Sequence, residues 1–253
     1  QTQRTGVINR LLLWGEKKSA QWASAEAAFV YCLSPVVARD YRALEERLGL
    51  TPSDTRTVGS SIDLDQFRSL PESEKKHDVV FLGRLHELKG VFDLPEVWAQ
   101  VKTARPAATL KVIGEGPHRT AVMDRFAARN LLDGVEFTGG IGEEDKNRLL
   151  AEARLGLSLS SEEGWGLAVN EYLASELPVV AYDLPVFQEV FPDVLHSVSL
   201  GDKTAASRAI LELLADPAAR EAMGRQGREL AQRYDYRAMA REELRHLEAL
   251  GKS

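Results

Sequence analysis

From about residue 78 onward, short runs of apolar and β-branched residues alternate with longer amphipathic runs, and this alternation restricts the chain to few folds. Residues 79–82, 109–113, 135–138, 155–160 and 178–182 read as strands. Residues 93–101, 119–130, 143–153 and 166–175 read as helices, with Pro95 tolerated in a first turn. Strands that alternate with helices, with no tight hairpin turns, imply right-handed crossovers and a parallel sheet covered on both faces. The strands are almost continuously apolar, as such coverage requires. The expectation is an α/β, doubly wound parallel sheet over residues 77–235.

The flanks read differently. Residues 203–250 are helical in pattern, broken at Asp216-Pro217 and again near 233–235. Residues 236–253 form a last amphipathic helix. Residues 1–70 show a helix at 7–23, one strand at 27–33 and a helix at 36–48, and one strand cannot make a sheet. Residues 71–76, Pro-Glu-Ser-Glu-Lys-Lys, read as a polar linker.

Composition excludes several function classes. The 253 residues carry a net charge of −6, so no global attraction to a polyanion exists and nucleic acid is not an expected partner. The single cysteine, Cys32, rules out an internal disulfide framework and fits a reducing compartment, so a cytoplasmic location is expected. No apolar run approaches the ~20 residues that cross a bilayer. The basic residues Arg10, Lys17 and Lys18 mark either a membrane-touching helix face or, by preference, a solvated one. The chain begins at Gln1, not Met, without a recognisable signal peptide, so a fragment of a longer protein and a natural short protein both stay open.

Two constellations carry chemistry. Gly83-Arg84-Leu85-His86-Glu87-Leu88-Lys89-Gly90 lies between the first strand of the sheet and its helix. A glycine bend before a helix N-terminus favours anions, and Arg84 and Lys89 add two positive charges there. The plainer reading is two solvated cations. In the second, Glu163-Gly164-Trp165-Gly166-Leu167-Ala168-Val169-Asn170-Glu171, a strand end turns through glycines into a helix. The N–H groups of Gly164 to Leu167 suit a phosphate or sugar hydroxyls. Glu171, acceptor-only when ionised, suits the two hydroxyls of a ribose. Two glutamates eight apart are common in an acidic chain. Their position at a strand–turn–helix junction, where open parallel sheets bind ligands, gives the pair its weight.

Five segments together resemble a known family. They are Gly83-Arg84 with Lys89-Gly90; Val112-Ile113-Gly114-Glu115-Gly116-Pro117; Val135-Glu136-Phe137-Thr138-Gly139; Ser160 with Glu163-Gly164-Trp165-Gly166-Leu167 and Glu171; and Leu177-Pro178-Val179-Val180-Ala181. In order and spacing they resemble the C-terminal, Rossmann-like domain of retaining glycosyltransferases of the GT-B fold, family 4 or "group 1" type, over about residues 25–250. The resemblance implies that Arg84 and Lys89, beside Gly83, hold the donor diphosphate, and that Glu171 binds the ribose. It also implies that Glu163 contacts the donor sugar, with the backbone of Gly164, Trp165, Gly166 and Leu167 completing that contact. The loop of Thr138, Gly139, Gly140 and Ile141 would lie beside the base. Neither a bound metal nor a cofactor is implied; the donor is a nucleoside diphosphate sugar of uridine or guanosine, and the acceptor a glycan, lipid or small molecule. Retention would follow front-face attack, with the leaving phosphate taking the acceptor's proton.

The chain departs from that pattern in three places. Glu176 stands where a helix-capping glycine is usual, at a cost of about 1 kcal/mol if its backbone is left-handed. Tyr172 stands where a small residue is usual. The resemblance also implies a whole N-terminal acceptor domain, of which residues 1–70 would be a remnant, with Ser60 to Phe67 as the interdomain signature. Peripheral membrane contact would then come through that domain, or a partner chain would supply it. The two rival readings are a nucleotide-sugar-binding subunit inactive without a partner chain, and a nucleotide-sugar epimerase of the same fold. Lesser candidates are Asp63-Leu64-Asp65 as a metal-binding pair, Gly114 to Arg119 as a partial dinucleotide fingerprint, His86 and His118 as pocket-lining residues, and Trp165 as a stacking platform.

Overall fold

The structure, a computed structural model, describes residues 17–250. The chain divides into two units, Ser60–Ala238 and the described part of Gln1–Gly59 with Met239–Ser253. The larger unit holds the expected parallel sheet. Its strands are β3 (His77–Leu82), β4 (Leu110–Ile113), β5 (Val135–Gly139), β6 (Ala153–Ser158), β7 (Val179–Tyr182) and β8 (His196–Val198). The order is β5-β4-β3-β6-β7-β8, with every neighbouring pair parallel. The order reverses between β3 and β6. Crevices that bind ligands in open α/β sheets form at such a reversal, outside the carboxyl ends of the strands.

Helices cover both faces: α3 (Leu94–Ala104), α4 (Arg119–Ala127), α5 (Glu143–Ala151), α6 (Leu167–Ala174), α7 (Pro185–Val190), α8 (Lys203–Ala215) and α9 (Pro217–Ala231). Val79, Val80 and Phe81 of β3 and Leu155 and Leu157 of β6 are buried with Trp98, Phe126 and Ile210 from the helices. The break at Asp216-Pro217 has a local cause. Asp216 accepts a hydrogen bond from the Ala219 N–H at 3.0 Å, and Pro217 takes the first position of α9. β8 and α7, absent from the sequence reading, extend the sheet by one strand.

Residues 71–76, expected as a linker, are pinned to this unit. Lys75 Nζ donates to the Ala151 carbonyl at 2.8 Å, the Lys76 N–H to the Glu152 carbonyl at 2.8 Å, and Glu72 pairs with Arg154 and Arg220. A polar composition signals exposure, and here it also supplies the ion pairs that dock the segment. The two units divide at 59/60 and at 238/239. Ile62 pairs in parallel with Asp235, and both neighbouring backbone bonds form, so the entry and exit segments of this unit lie side by side.

In the smaller unit, residues 17–26 form helix α1; the part of the expected helix before residue 17, with Arg10, lies outside the described residues. β1 (Val30–Cys32) is followed by α2 (Pro35–Leu48) and β2 (Thr55–Thr57). Ser34 caps α2 by accepting from the Val37 N–H, and left-handed Gly49 ends it. The single expected strand has a partner: β1 and β2 pair in parallel, Val30 opposite Thr55. Thr-Arg-Thr is too short to show a periodic pattern. α10 (Tyr236–Leu250) ends the described chain.

Candidate functional site at the sheet reversal

The loop after β3 is shaped by contact with the end of β6. His86 Nδ1 accepts from the Leu88 N–H and caps a single 3-10 turn, Glu87–Lys89. Gly90 ends that turn with φ 68°, and a Cβ there would lie 1.9 Å from the Leu159 carbonyl oxygen, so only glycine lets the loops meet. The Ser161 N–H donates to the Leu88 carbonyl at 2.9 Å and joins them. This contact brings Lys89 to Glu163: Nζ donates to Oε1 at 2.5 Å, and Ser160 Oγ donates to the same oxygen at 2.8 Å. Both sequence-selected residues thus converge across the β3/β6 reversal. The Arg84 guanidinium is exposed and has no partner among the described residues. His86 and His118 sit with ring centroids 5.6 Å apart beside this loop, and His118 also packs on Phe92.

The loop after β6 enters α6 through Gly166, at φ 105°, where a Cβ would lie 2.7 Å from the Phe187 ring. The N–H groups of Gly164 to Leu167 donate to no acceptor among the described residues. They precede a helix whose N-terminus adds partial positive charge. Leu167 is exposed. Trp165 is not a stacking platform: its ring is 4% exposed and packs edge-on against Phe191 and Tyr234. Only its backbone remains to meet a ligand.

Tyr172 explains what a large residue does on α6. It is fully buried against Gly156, whose missing side chain leaves room for the ring. Its hydroxyl accepts from the Leu82 N–H at 2.6 Å and donates to the Leu157 carbonyl at 3.3 Å. The phenol therefore bridges β3 and β6 where the strands end. Burial pushes its pKa far above the ordinary phenol range.

Glu171 has a partner that the sequence reading missed. Lys146 Nζ, on α5, donates to Glu171 Oε1 at 2.8 Å and to Glu143 Oε2 at 2.6 Å. Burial raises the Glu171 pKa, and Lys146 opposes that rise. α5 begins just after the loop of Thr138 to Ile141, so Lys146 links that loop's helix to α6. In the loop, Thr138 Oγ1 donates to the Gly139 carbonyl at 3.1 Å, Gly139 is buried, Gly140 is exposed and Ile141 is half-buried. No sequence signal singled out Lys146, because after Glu143-Glu144-Asp145 it reads as a surface i,i+3 partner.

The Asp63-Leu64-Asp65 pair does structural work. Asp63 caps a 3-10 turn through the Asp65 N–H and accepts from Gln66, while Asp65 pairs with Arg237 at 2.7 Å. Arg228 donates to the Leu64 and Ala174 carbonyls and holds this segment against the end of α6. Among the described residues no three His, Cys, Asp or Glu side chains are grouped to hold a metal ion.

The geometry offers a free guanidinium, an ammonium shared with a carboxylate, a row of N–H donors and two part-buried carboxylates. Cations and N–H donors suit an anion; carboxylates suit hydroxyls. The sequence model described as Glycosyl transferases group 1 matches residues 63–230. A phosphatidyl-myo-inositol mannosyltransferase of Propionibacterium freudenreichii subsp. shermanii is 31% identical over 164 residues, covering 62% of this chain and 40% of that protein. The GtfA subunit of a UDP-N-acetylglucosamine–peptide N-acetylglucosaminyltransferase of Streptococcus gordonii is 27% identical over 139 residues, covering 55% and 26%. Anabaena HepE in complex with UDP and glucose superposes with a TM-score of 0.81 at 17% identity, covering 92% of this chain and 66% of HepE. The chain thus spans less than half the length of these two curated relatives. With more than half of its residues matched by the family, the chain belongs to the Glycosyl transferases group 1 family.

Proposed function

We propose that this chain is the donor-binding half of a retaining, metal-independent glycosyltransferase, moving a sugar from a nucleoside diphosphate sugar to an acceptor. The observation that carries the reading is the Lys89–Glu163 pair at the β3/β6 reversal, beside the unpaired N–H row of Gly164 to Leu167. A diphosphate fits against Arg84, Lys89 and that row; the sugar hydroxyls fit against Glu163; the ribose fits against Glu171. In this reading the loop of Thr138 to Ile141 borders the base, and residues 1–59 belong to an acceptor domain. The bond between the anomeric carbon and the phosphate oxygen breaks, and its electrons pass to the diphosphate. The acceptor oxygen bonds to the same face, and its proton passes to the leaving phosphate. Stabilisation of the departing charge is the chain's main catalytic contribution, with each charge-assisted hydrogen bond worth about 1.5–3 kcal/mol.

Lys89 is paired with Glu163, and that pairing separates the two roles. Glu163→Gln releases the ammonium, so nucleoside diphosphate affinity holds or rises while sugar transfer falls by about tenfold or more. Calorimetry with the diphosphate and a transfer assay check both halves; a parallel loss in both would contradict the assignment. The UDP and glucose in HepE make UDP-glucose the first donor to assay, and the lipid in the mannosyltransferase's name makes a lipid the first acceptor.

A second reading has one observation in its favour: a relative of this chain is named as a subunit. On that reading, transfer needs a separate acceptor-binding chain. Donor hydrolysis and transfer, measured with and without a co-expressed partner, separate the two. A labelled donor without acceptor yields an epimerised donor only if the chain is an epimerase.

A further inference from the structure

Lys146 is buried, at 8% exposure, and its ammonium lies between two carboxylates of different character. The Glu143 side chain is 73% exposed, whereas that of Glu171 is 18% exposed. A lysine taken out of water is costly unless its charge is paired and hydrogen-bonded, so this contact is not a casual surface pair. Lys146 donates to Oε1 of Glu171, and Oε2 accepts no hydrogen bond from the described residues. The two residues stand on different helices, α5 after β5 and α6 after β6. The pair therefore joins two strand-end loops that the sheet order keeps apart.

We propose that Lys146 is a positioning residue for the nucleotide ribose: its ammonium holds Oε1 of Glu171 and reserves Oε2 for the ribose hydroxyls, so that the chain separates a ribonucleoside diphosphate from its 2′-deoxy form. The proposal rests on the reading of Glu171 as the ribose acceptor. It adds a residue and a selectivity to that reading. The charged groups facing Glu171 support it. Burial pushes the Glu171 carboxyl up and Glu143 pushes it the same way, while the hydrogen bond and charge of Lys146 pull it down. Only the ionised carboxylate accepts at both oxygens; protonation turns one of them into a donor. Ribose selectivity is thus present above the Glu171 pKa and lost as pH falls through it. Without Lys146 that loss comes at a higher pH; without Glu143 it comes at a lower one.

The test is calorimetric titration of UDP, GDP and ADP, each beside its 2′-deoxy form, across pH. The parent is expected to prefer the ribo form of its nucleotide by about tenfold, the worth of one charge-assisted hydrogen bond. Lys146→Met should remove most of that preference and move its acid loss upward in pH, and Lys146→Arg should restore it. A folded Lys146→Met with the parent's preference and pH profile overturns the proposal. If that variant does not fold, Glu143→Gln decides, because Glu143 is exposed. The preference must persist and its acid loss must move to lower pH; a lost preference or an unmoved profile overturns the proposal. Glu171→Gln separates the two levels. If it binds the ribo form like the parent, the reading of Glu171 has failed, and the role of Lys146 with it.

Discussion

At the scale of single residues, the two departures from the family pattern have different consequences. The Tyr172 hydroxyl accepts from the Leu82 N–H and donates to the Leu157 carbonyl inside the buried sheet. Tyr172→Phe removes both of these bonds from a buried site, and chemical unfolding should register a loss of about 1–3 kcal/mol. Glu176 adopts φ 56°, the left-handed conformation that a glycine would hold more easily. Glu176→Gly should therefore raise stability by about 0.5–1 kcal/mol, read as an increase in the unfolding midpoint. Lys75 shows how burial couples to pH. Desolvation lowers its pKa to about 8, against the attraction of Glu72 and Glu176. Between that value and the ordinary lysine range the unfolded chain binds more protons than the folded one, so this residue's contribution to stability rises with pH. Comparing unfolding of the parent and Lys75→Met from pH 7 upward should show the parent gaining relative to the variant above about pH 8. A flat difference would mean that Lys75 is not desolvated.

At the scale of elements, the site depends on two loops meeting across a strand reversal. Gly90→Ala would drive a Cβ into the Leu159 carbonyl, part the loops and separate Lys89 from Glu163. The expected outcome is a stability loss of more than about 1 kcal/mol together with weakened nucleotide binding, measured by thermal unfolding and calorimetry. The elements that make this junction were legible because their physics is local. β3, β6 and β7 are apolar runs long enough to bury both faces, and Gly83 marks where β3 stops. β2 and β8 were not legible. Thr55–Thr57 and His196–Val198 are three residues each, polar in part, and become strands only because a neighbour is already in place. Lys146 was hidden for the same reason: α5 alone offers it Glu143, and only the fold brings Glu171. Arg84, Lys89, Glu163 and Glu171 were legible as chemistry at strand ends. The pairing of Lys89 with Glu163 was not, since 74 positions separate them.

At the scale of the whole molecule, the unit Ser60–Ala238 carries a complete parallel sheet and the strand-end loops to which a donor site is assigned. Its entry and exit segments are joined at Ile62 and Asp235 and secured by Arg237 on Asp65 and Arg228 on Leu64. No helix among the described residues is long and apolar enough to cross a membrane. The central claim is that the β3/β6 reversal binds a nucleoside diphosphate through Lys89 and Glu171. It is tested most directly by calorimetric titration of UDP, GDP and ADP into the parent, Lys89→Ala and Glu171→Ala. The expected result is saturable binding of at least one diphosphate by the parent and about tenfold or greater weakening in each variant, or about 1.4 kcal/mol. Binding by both variants at the parent's affinity, or by the parent to none of the three, would contradict it.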